Sequence, residues 1–280
     1  MPDLSRPRIR RQVAVQLRDP TGEQAMYSRA LQRLVVAPMR RLVTERMAPL
    51  LERWAVTQDA SLLQMCDALS EYEIQRVIHE MRITMGEVVD SPELRAAIAS
   101  TSRQVDLFNA ATQQSIVKQV VAAHRLPMAV PAINVYANNP YLALARDQFV
   151  QRNVDLIKSL PRETFGQIQQ AITEGIAQGK RSSTIAQELQ ERMDVTESRA
   201  RLIARDQVLK HNGELASVRQ QAAGITHFTW YSSKDQRVRK SHRDLHGKVF
   251  AWAEPPVVDG ETAVPGQPIQ CRCNAIPFLG

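Results

Sequence analysis

Gly224-Ile225-Thr226-His227-Phe228-Thr229-Trp230-Tyr231 is the point at which the hydrophobic period of this chain changes. A glycine is followed by β-branched and aromatic residues alternating with polar ones, the signature of a strand. Upstream, apolar residues recur at three- and four-residue steps, which marks helices with one buried face. Downstream, the text is short and punctuated by glycine and proline. The reading is therefore a mainly α protein: a helical N-terminal region open to an elongated form, then a helical domain ending in a small α+β subdomain over 225–280.

Working back from Gly224, Thr196 opens a helix through Ala200, Ile203, Ala204, Val208, Leu215 and Val218, and Ser183 or Thr184 opens a shorter one before it. Leu142 to Leu160 and Arg162 to Gln178 read as two more, separated at Pro161, with Gly179 as a C-cap. Pro127 to Pro140 holds three prolines, three asparagines and no charge, a linker between a region over 21–126 and a domain over 141–280. Ser91-Pro92 is a capping serine before a first-turn proline and predicts a helix to about His124. Ser61 to Met85 predicts another, with Cys66 inside its apolar register. Thr21 to Thr57 carries a stripe from Leu31 to Trp54 that is suited equally to internal packing and to docking on a partner, with kinks or breaks expected near Pro38 and Pro49. Residues 1–20 form an extended basic arm with a short strand around Val13 to Leu17, either solvated or laid on a subunit or DNA.

Working forward, a brief helix is expected over Arg237 to Leu245, a strand over Gly247 to Trp252, and a long loop from Glu254 to Pro268. His242 and His246 stand i, i+4, on one face of such a helix, and Cys271 and Cys273 follow at a single-residue spacing. These types suit a structural zinc held by His242, Cys271 and Cys273, with Asp235 or His246 fourth. The competing reading is a compact knot with reduced thiols and His242 hydrogen-bonded to backbone or to Asp235. A nucleophilic Cys/His pair lacks an oxyanion hole or a third member in the sequence, and no phosphate-loop or zinc-protease motif is present, so no enzyme is expected. Asp206, Asp235, Arg237 and Arg239 form either a buried charge network or, with Lys240 and Arg243, a basic face toward DNA. Trp230 and Trp252 read as core.

The 280 residues carry a net charge of +7, 44% hydrophobic residues and three cysteines. An odd cysteine count argues against a disulfide framework. The arginines at 6, 8, 10, 11 and 18 are not followed by the apolar run of a secretory signal, and no stretch suits a membrane span, so cytosolic synthesis and no membrane partner are expected.

Ser198-Arg199-Ala200-Arg201-Leu202-Ile203-Ala204-Arg205-Asp206-Gln207, then Asn212, Gly224, Trp230, Asp235-x-Arg237-Val238-Arg239-x-x-His242 and Cys271-Arg272-Cys273, together resemble the phage Mu F-like minor head, or head morphogenesis, proteins. The likeness runs from about Asn153 to Pro277. Many relatives carry Thr-Glu where Asp206-Gln207 stands, and a polar or acidic residue in place of His246. The resemblance implies a minor capsid component that contacts the portal protein, the major capsid protein or a scaffold during head assembly in the host cytoplasm. It also implies residence in the virion; packaged double-stranded DNA is the further partner if the basic residues form a face toward it. A DNA-binding ejection protein and a metal- or thiol-dependent enzyme are the alternatives.

Overall fold

A computed structural model describes residues 15–57, 70–124, 139–233 and 236–279. The linker reading of 127–140, Cys66 and Asp235 fall wholly or almost wholly outside them. The helices are α1 (Thr21–Leu31), α2 (Ala37–Thr57), α3 (Glu71–Val89), α4 (Pro92–His124), α5 (Pro140–Ala177), α6 (Ser182–Ala222) and α7 (Lys240–Asp244). The strands are β1 (His227–Tyr231), β2 (Val249–Ala251), β3 (Val257–Val258), β4 (Glu261–Thr262) and β5 (Asn274–Phe278). The mainly α architecture with a small α+β end is as the sequence implies. No helix among the described residues is long and apolar enough to cross a membrane.

Two compact units form, neither from one run of chain. A helical unit draws on residues 25–98 and 150–204. A tail unit draws on the described residues of 1–24, 99–149 and 205–280.

In the helical unit the Leu31–Trp54 stripe is interior. Leu31, Val35, Val36, Met39, Val43 and Met47 are buried, so these residues of the stripe serve internal packing. The chain stays helical through Pro38, with an irregular turn just before it. A π-turn over Gln32–Val36 joins α1 to α2, and the Ala37 N–H reaches back to Gln32 O. That wider turn makes room for a ring that would otherwise strike the carbonyl four residues earlier. The helix also continues through Pro49. Ser70 caps α3 with a complete capping box: its hydroxyl accepts from the Glu73 N–H and the Glu73 carboxylate accepts from the Ser70 N–H.

Two expected helix pairs are each one helix. α5 runs through Pro161, and α6 runs through Thr196. Interior proline costs about 3 kcal/mol, whereas Ile157, Leu160, Phe165 and Ile168 around it are fully buried, each stabilising by about 1.5–3 kcal/mol. Burial wins. Thr196 does not cap: its hydroxyl bonds the Arg192 carbonyl one turn back (2.9 Å) and Thr164 Oγ1 (2.8 Å). Tyr27 is likewise buried, its hydroxyl donating to Asn153 Oδ1 at 2.8 Å, and burial pushes its pKa up.

The tail unit packs parts of α4 and α6 with a three-stranded antiparallel sheet of order β2-β1-β5. β1 is central, with Phe228 opposite Phe250 and Pro277, and Trp230 opposite Ala275. Pro277 is tolerated because β5 is an edge strand. Period two turns Phe228 and Trp230 inward, where they join Trp252, Val258, Cys271 and Cys273 in one core. Phe228 and Trp252 ring centroids lie 4.3 Å apart. Both tryptophans expected in the core are found there.

β5 is not foreseen in the sequence, and the loop expected over 254–268 contains the β3–β4 hairpin. Asp259-Gly260 joins its strands with both φ angles positive, 53° and 90°, as a two-residue turn of the I′ kind requires. No strand forms among the described residues of the N-terminal arm. Val15 instead packs on Ile116, Val120 and Ile276.

Between α4 and α6 the tail unit holds a buried polar seam. Asn109 Nδ2 donates to both Asn212 oxygens at 2.9 Å, and Arg219 Nη1 donates to Asn109 Oδ1 at 2.8 Å. Arg219 also pairs with Asp106, whose other oxygen accepts from Arg146 at 2.6 Å. Gln220 Nε2 donates to Gln113 Oε1 and to the Ala275 carbonyl, tying α6 to β5. Ser102 Oγ meets the fully buried His211 Nε2 at 3.0 Å.

Candidate metal centre

His242 is the third residue of α7 and points inward, 3% exposed. Cys271 and Cys273 approach from the segment entering β5, both buried and unoxidised. His242 Nδ1 lies 3.4 Å from Cys271 Sγ and 3.5 Å from Cys273 Sγ, and the three donor atoms all fall within 4.8 Å of one another. Among the described residues this is the one cluster of three or more potential metal ligands. The Trp230 ring meets the imidazole edge-on, with centroids 5.6 Å apart and planes at 88°, and fixes its orientation from the core side.

His246 does not join the cluster. α7 ends at Asp244, and a turn through positive-φ Gly247 follows, so the i, i+4 face that pairs the two histidines in the sequence is never built. His246 Nδ1 instead accepts from the Ser232 N–H at 3.1 Å, and its ring rests against Tyr231.

The two thiols share their ionisation. A hydrogen bond from the Cys273 thiol, helped by the backbone N–H groups of Cys273 and Gly266, holds Cys271 down at about 6 although burial opposes this. Cys273 is pushed up by that same bond, by burial and by the charge that Cys271 would carry. One proton is therefore easily lost and the second is not, unless a cation compensates both sulfurs.

Three further residues position the cluster. Asp206 accepts from the Gln270 N–H at 2.6 Å and pairs with Lys210 at 2.8 Å. Gln270 adopts φ 53°, so this anchor holds a left-handed residue immediately before Cys271. Asp206 consequently does not enter the network with Arg237 and Arg239 that the sequence offered. Gly213 on α6 passes so close to the 265–266 backbone that a Cβ there would lie 2.8 Å from Pro265 O. Asp259, at the hairpin turn, puts Oδ2 at 3.6 Å from His242 Nε2 and 3.6 Å from Arg239 Nη1. The Ser241 hydroxyl, then His242 and Arg239, hold its carboxyl below the usual carboxylate range. Asp206 stands in the motif string and Asp259 in the Asp-Gly dipeptide between Val-Val and Glu-Thr, whereas nothing in the sequence marks the role of Gly213.

A cavity of about 310 Å3 opens over the cluster, lined by His242, Cys271 and Cys273 together with Arg205, Arg237, Arg239 and Arg272. Arg239 is exposed and spans its rim, donating to the Ile269 carbonyl at 2.6 Å. Arg237, Lys240 and Arg243 are also exposed. Asn212 lies in the polar seam and Trp230 in the core, whereas Arg205, Arg237, Arg239 and Arg272 line the opening over His242, Cys271 and Cys273, and Asp235 is outside the described residues.

The comparisons with known proteins concern this same part of the chain. A protein of Haemophilus influenzae described as uncharacterized is 34% identical over 142 residues, 51% of this chain and 31% of its own length. One from Methanocaldococcus jannaschii, also described as uncharacterized, is 31% identical over 140 residues, 47% of this chain and 21% of its own. The minor head protein GP7 of Bacillus phage SPP1 is 27% identical over 179 residues, 59% of this chain and 56% of its own. Each match thus spans less than two thirds of the relative. No solved structure matches. The family described as Phage Mu protein F like protein matches residues 166–276, which hold α6, β1 to β4, the cysteine pair and His242, so this segment of the chain is similar to that family.

Proposed function

We propose that the chain is a minor head protein acting in the morphogenesis of a tailed-phage head, docked on the portal or inner capsid and retained in the virion. The observation that supports this is what the family segment builds. Its Asn212, Trp230, His242, Cys271 and Cys273 are buried where α6, the sheet and the cysteine segment pack together, as expected of an assembly module. The similarity to a protein named minor head protein supports the same reading. A net charge of +7 and the arginine-lined opening favour contact with packaged DNA as an accessory property.

The test is affinity purification of the full chain co-expressed with the portal and major capsid proteins of its own gene cluster, with mass spectrometry of purified particles. Recovery with portal or capsid, and a few copies per particle, is expected. Absence from particles together with absence of either complex refutes the proposal. A steep fall in DNA affinity with salt, in a chain that binds neither capsid component, would favour the ejection-protein alternative instead.

A further inference from the structure

We infer that His242, Cys271 and Cys273 bind one zinc ion, with His242 coordinating through Nδ1 and the fourth ligand entering from the arginine-lined cavity. Geometry alone carries this, independently of the role in head assembly.

Zinc–sulfur bonds of about 2.3 Å and zinc–nitrogen bonds of about 2.0–2.1 Å at tetrahedral angles put two sulfurs about 3.8 Å apart and sulfur and nitrogen about 3.6 Å apart. The observed nitrogen–sulfur distances, 3.4 and 3.5 Å, are within about 0.2 Å of that edge. All three donors lie within 4.8 Å of one another, so a shift of the thiols by at most about 1 Å completes the face. Two sulfurs and one nitrogen make a soft donor set that suits zinc over magnesium or calcium, which take oxygen.

The surroundings fit a ligand set and not merely a packed knot. The Cys273 N–H points to Cys271 Sγ at 3.4 Å, the orientation that stabilises a thiolate. His242 turns Nδ1 to the sulfurs, and its Nε2 lies 3.6 Å from the Asp259 carboxylate and 3.4 Å from Arg239 Nη1, which itself pairs with Asp259. Metal-bound histidines commonly present their second nitrogen to a carboxylate in this way. Asp259 itself sits in a positive-φ turn whose shape holds it there. With two thiolates and a neutral imidazole the bound ion would be formally uncharged, so it can sit beside Arg205, Arg239 and Arg272 without repulsion.

The full chain, purified untagged without chelator, is analysed by elemental mass spectrometry, thiol titration and zinc-edge X-ray absorption. About one zinc per chain with two sulfur and two lighter ligands is expected. Cobalt substitution should give tetrahedral bands with thiolate charge transfer. Cys271→Ser, Cys273→Ser and His242→Ala should each lose stoichiometric metal. Because loss of a ligand can unfold the tail, Asp259→Asn is the second variant: it keeps every ligand and should weaken zinc affinity about 10- to 100-fold in a competition with a chromogenic chelator. A folded wild-type chain that has three titratable thiols but takes up neither zinc nor cobalt overturns the inference. So does a Cys271–Cys273 disulfide in chain purified under reducing conditions, or absorption data lacking sulfur neighbours.

Discussion

Replacing Gly213 by alanine sets two effects of opposite sign against each other. Gly213 lies inside α6, and alanine in a helix interior is favoured over glycine by about 0.8–1 kcal/mol. The new Cβ, however, would stand 2.8 Å from Pro265 O and 3.3 Å from Gly266 Cα, both of them backbone atoms that no rotamer change can move. Gly266 is fixed at φ 90°, and the chain beyond it leads through Gln270 to Cys271. Relief therefore requires the loop to retreat, and overpacking of this kind costs about 1–3 kcal/mol. The net expectation is a destabilisation of up to about 2 kcal/mol, with a looser cysteine segment. Gly166 is the matched control. It lies inside α5, and a Cβ added there would meet nothing within 4 Å, so Gly166→Ala should stabilise by about 0.5–1 kcal/mol. Urea denaturation followed by far-ultraviolet circular dichroism measures both. If Gly213→Ala raises the midpoint as Gly166→Ala does, the close approach of α6 to the 265–266 loop is refuted.

Trp230→Ala should destabilise the tail by about 3–5 kcal/mol, since the side chain is fully buried, and the unfolding midpoint reports it. Asp206→Ala removes the acceptor of the Gln270 N–H and should cost about 1–3 kcal/mol, with faster amide exchange at 270–273 measured by mass spectrometry. Ser70→Ala breaks the capping box of α3 and should lower stability by about 0.5–2 kcal/mol in the same denaturation assay. Burial pushes the Asp106 carboxyl up, but the hydrogen bonds and charges of Arg219 and Arg146 prevail and hold it below its ordinary value. A carboxyl depressed on folding contributes stability above its unfolded pKa of about 3.9 and loses it as pH falls through the folded value. Urea midpoints should thus drop below about pH 4, and this part of the profile should flatten in Asp106→Asn, which is also weaker at neutral pH.

Sequence by itself determined the helices, because their apolar residues repeat at the helical period over many turns. It also determined where that period ends, at Gly224, and the chemistry available to the site, since a histidine and a Cys-x-Cys pair are visible as letters. The motif string likewise marked the family resemblance. Tertiary structure decided whatever depended on a partner distant in the chain. Pro161 and Thr196 look like boundaries locally, yet burial on several sides carries α5 and α6 through them. β5 carries Pro277, which argues against a strand in the sequence, and exists because β1 supplies its hydrogen bonds. His246 shares a helical spacing with His242, but α7 stops too soon to use it. Asp259, Asp206 and Gly213 gain their roles from atoms 17, 64 and 52 residues away, Asp259 at His242, Asp206 at Gln270 and Gly213 at Pro265. A donor set can be read from composition and spacing, whereas the distances that make it a site are fixed only when separate stretches close on one core.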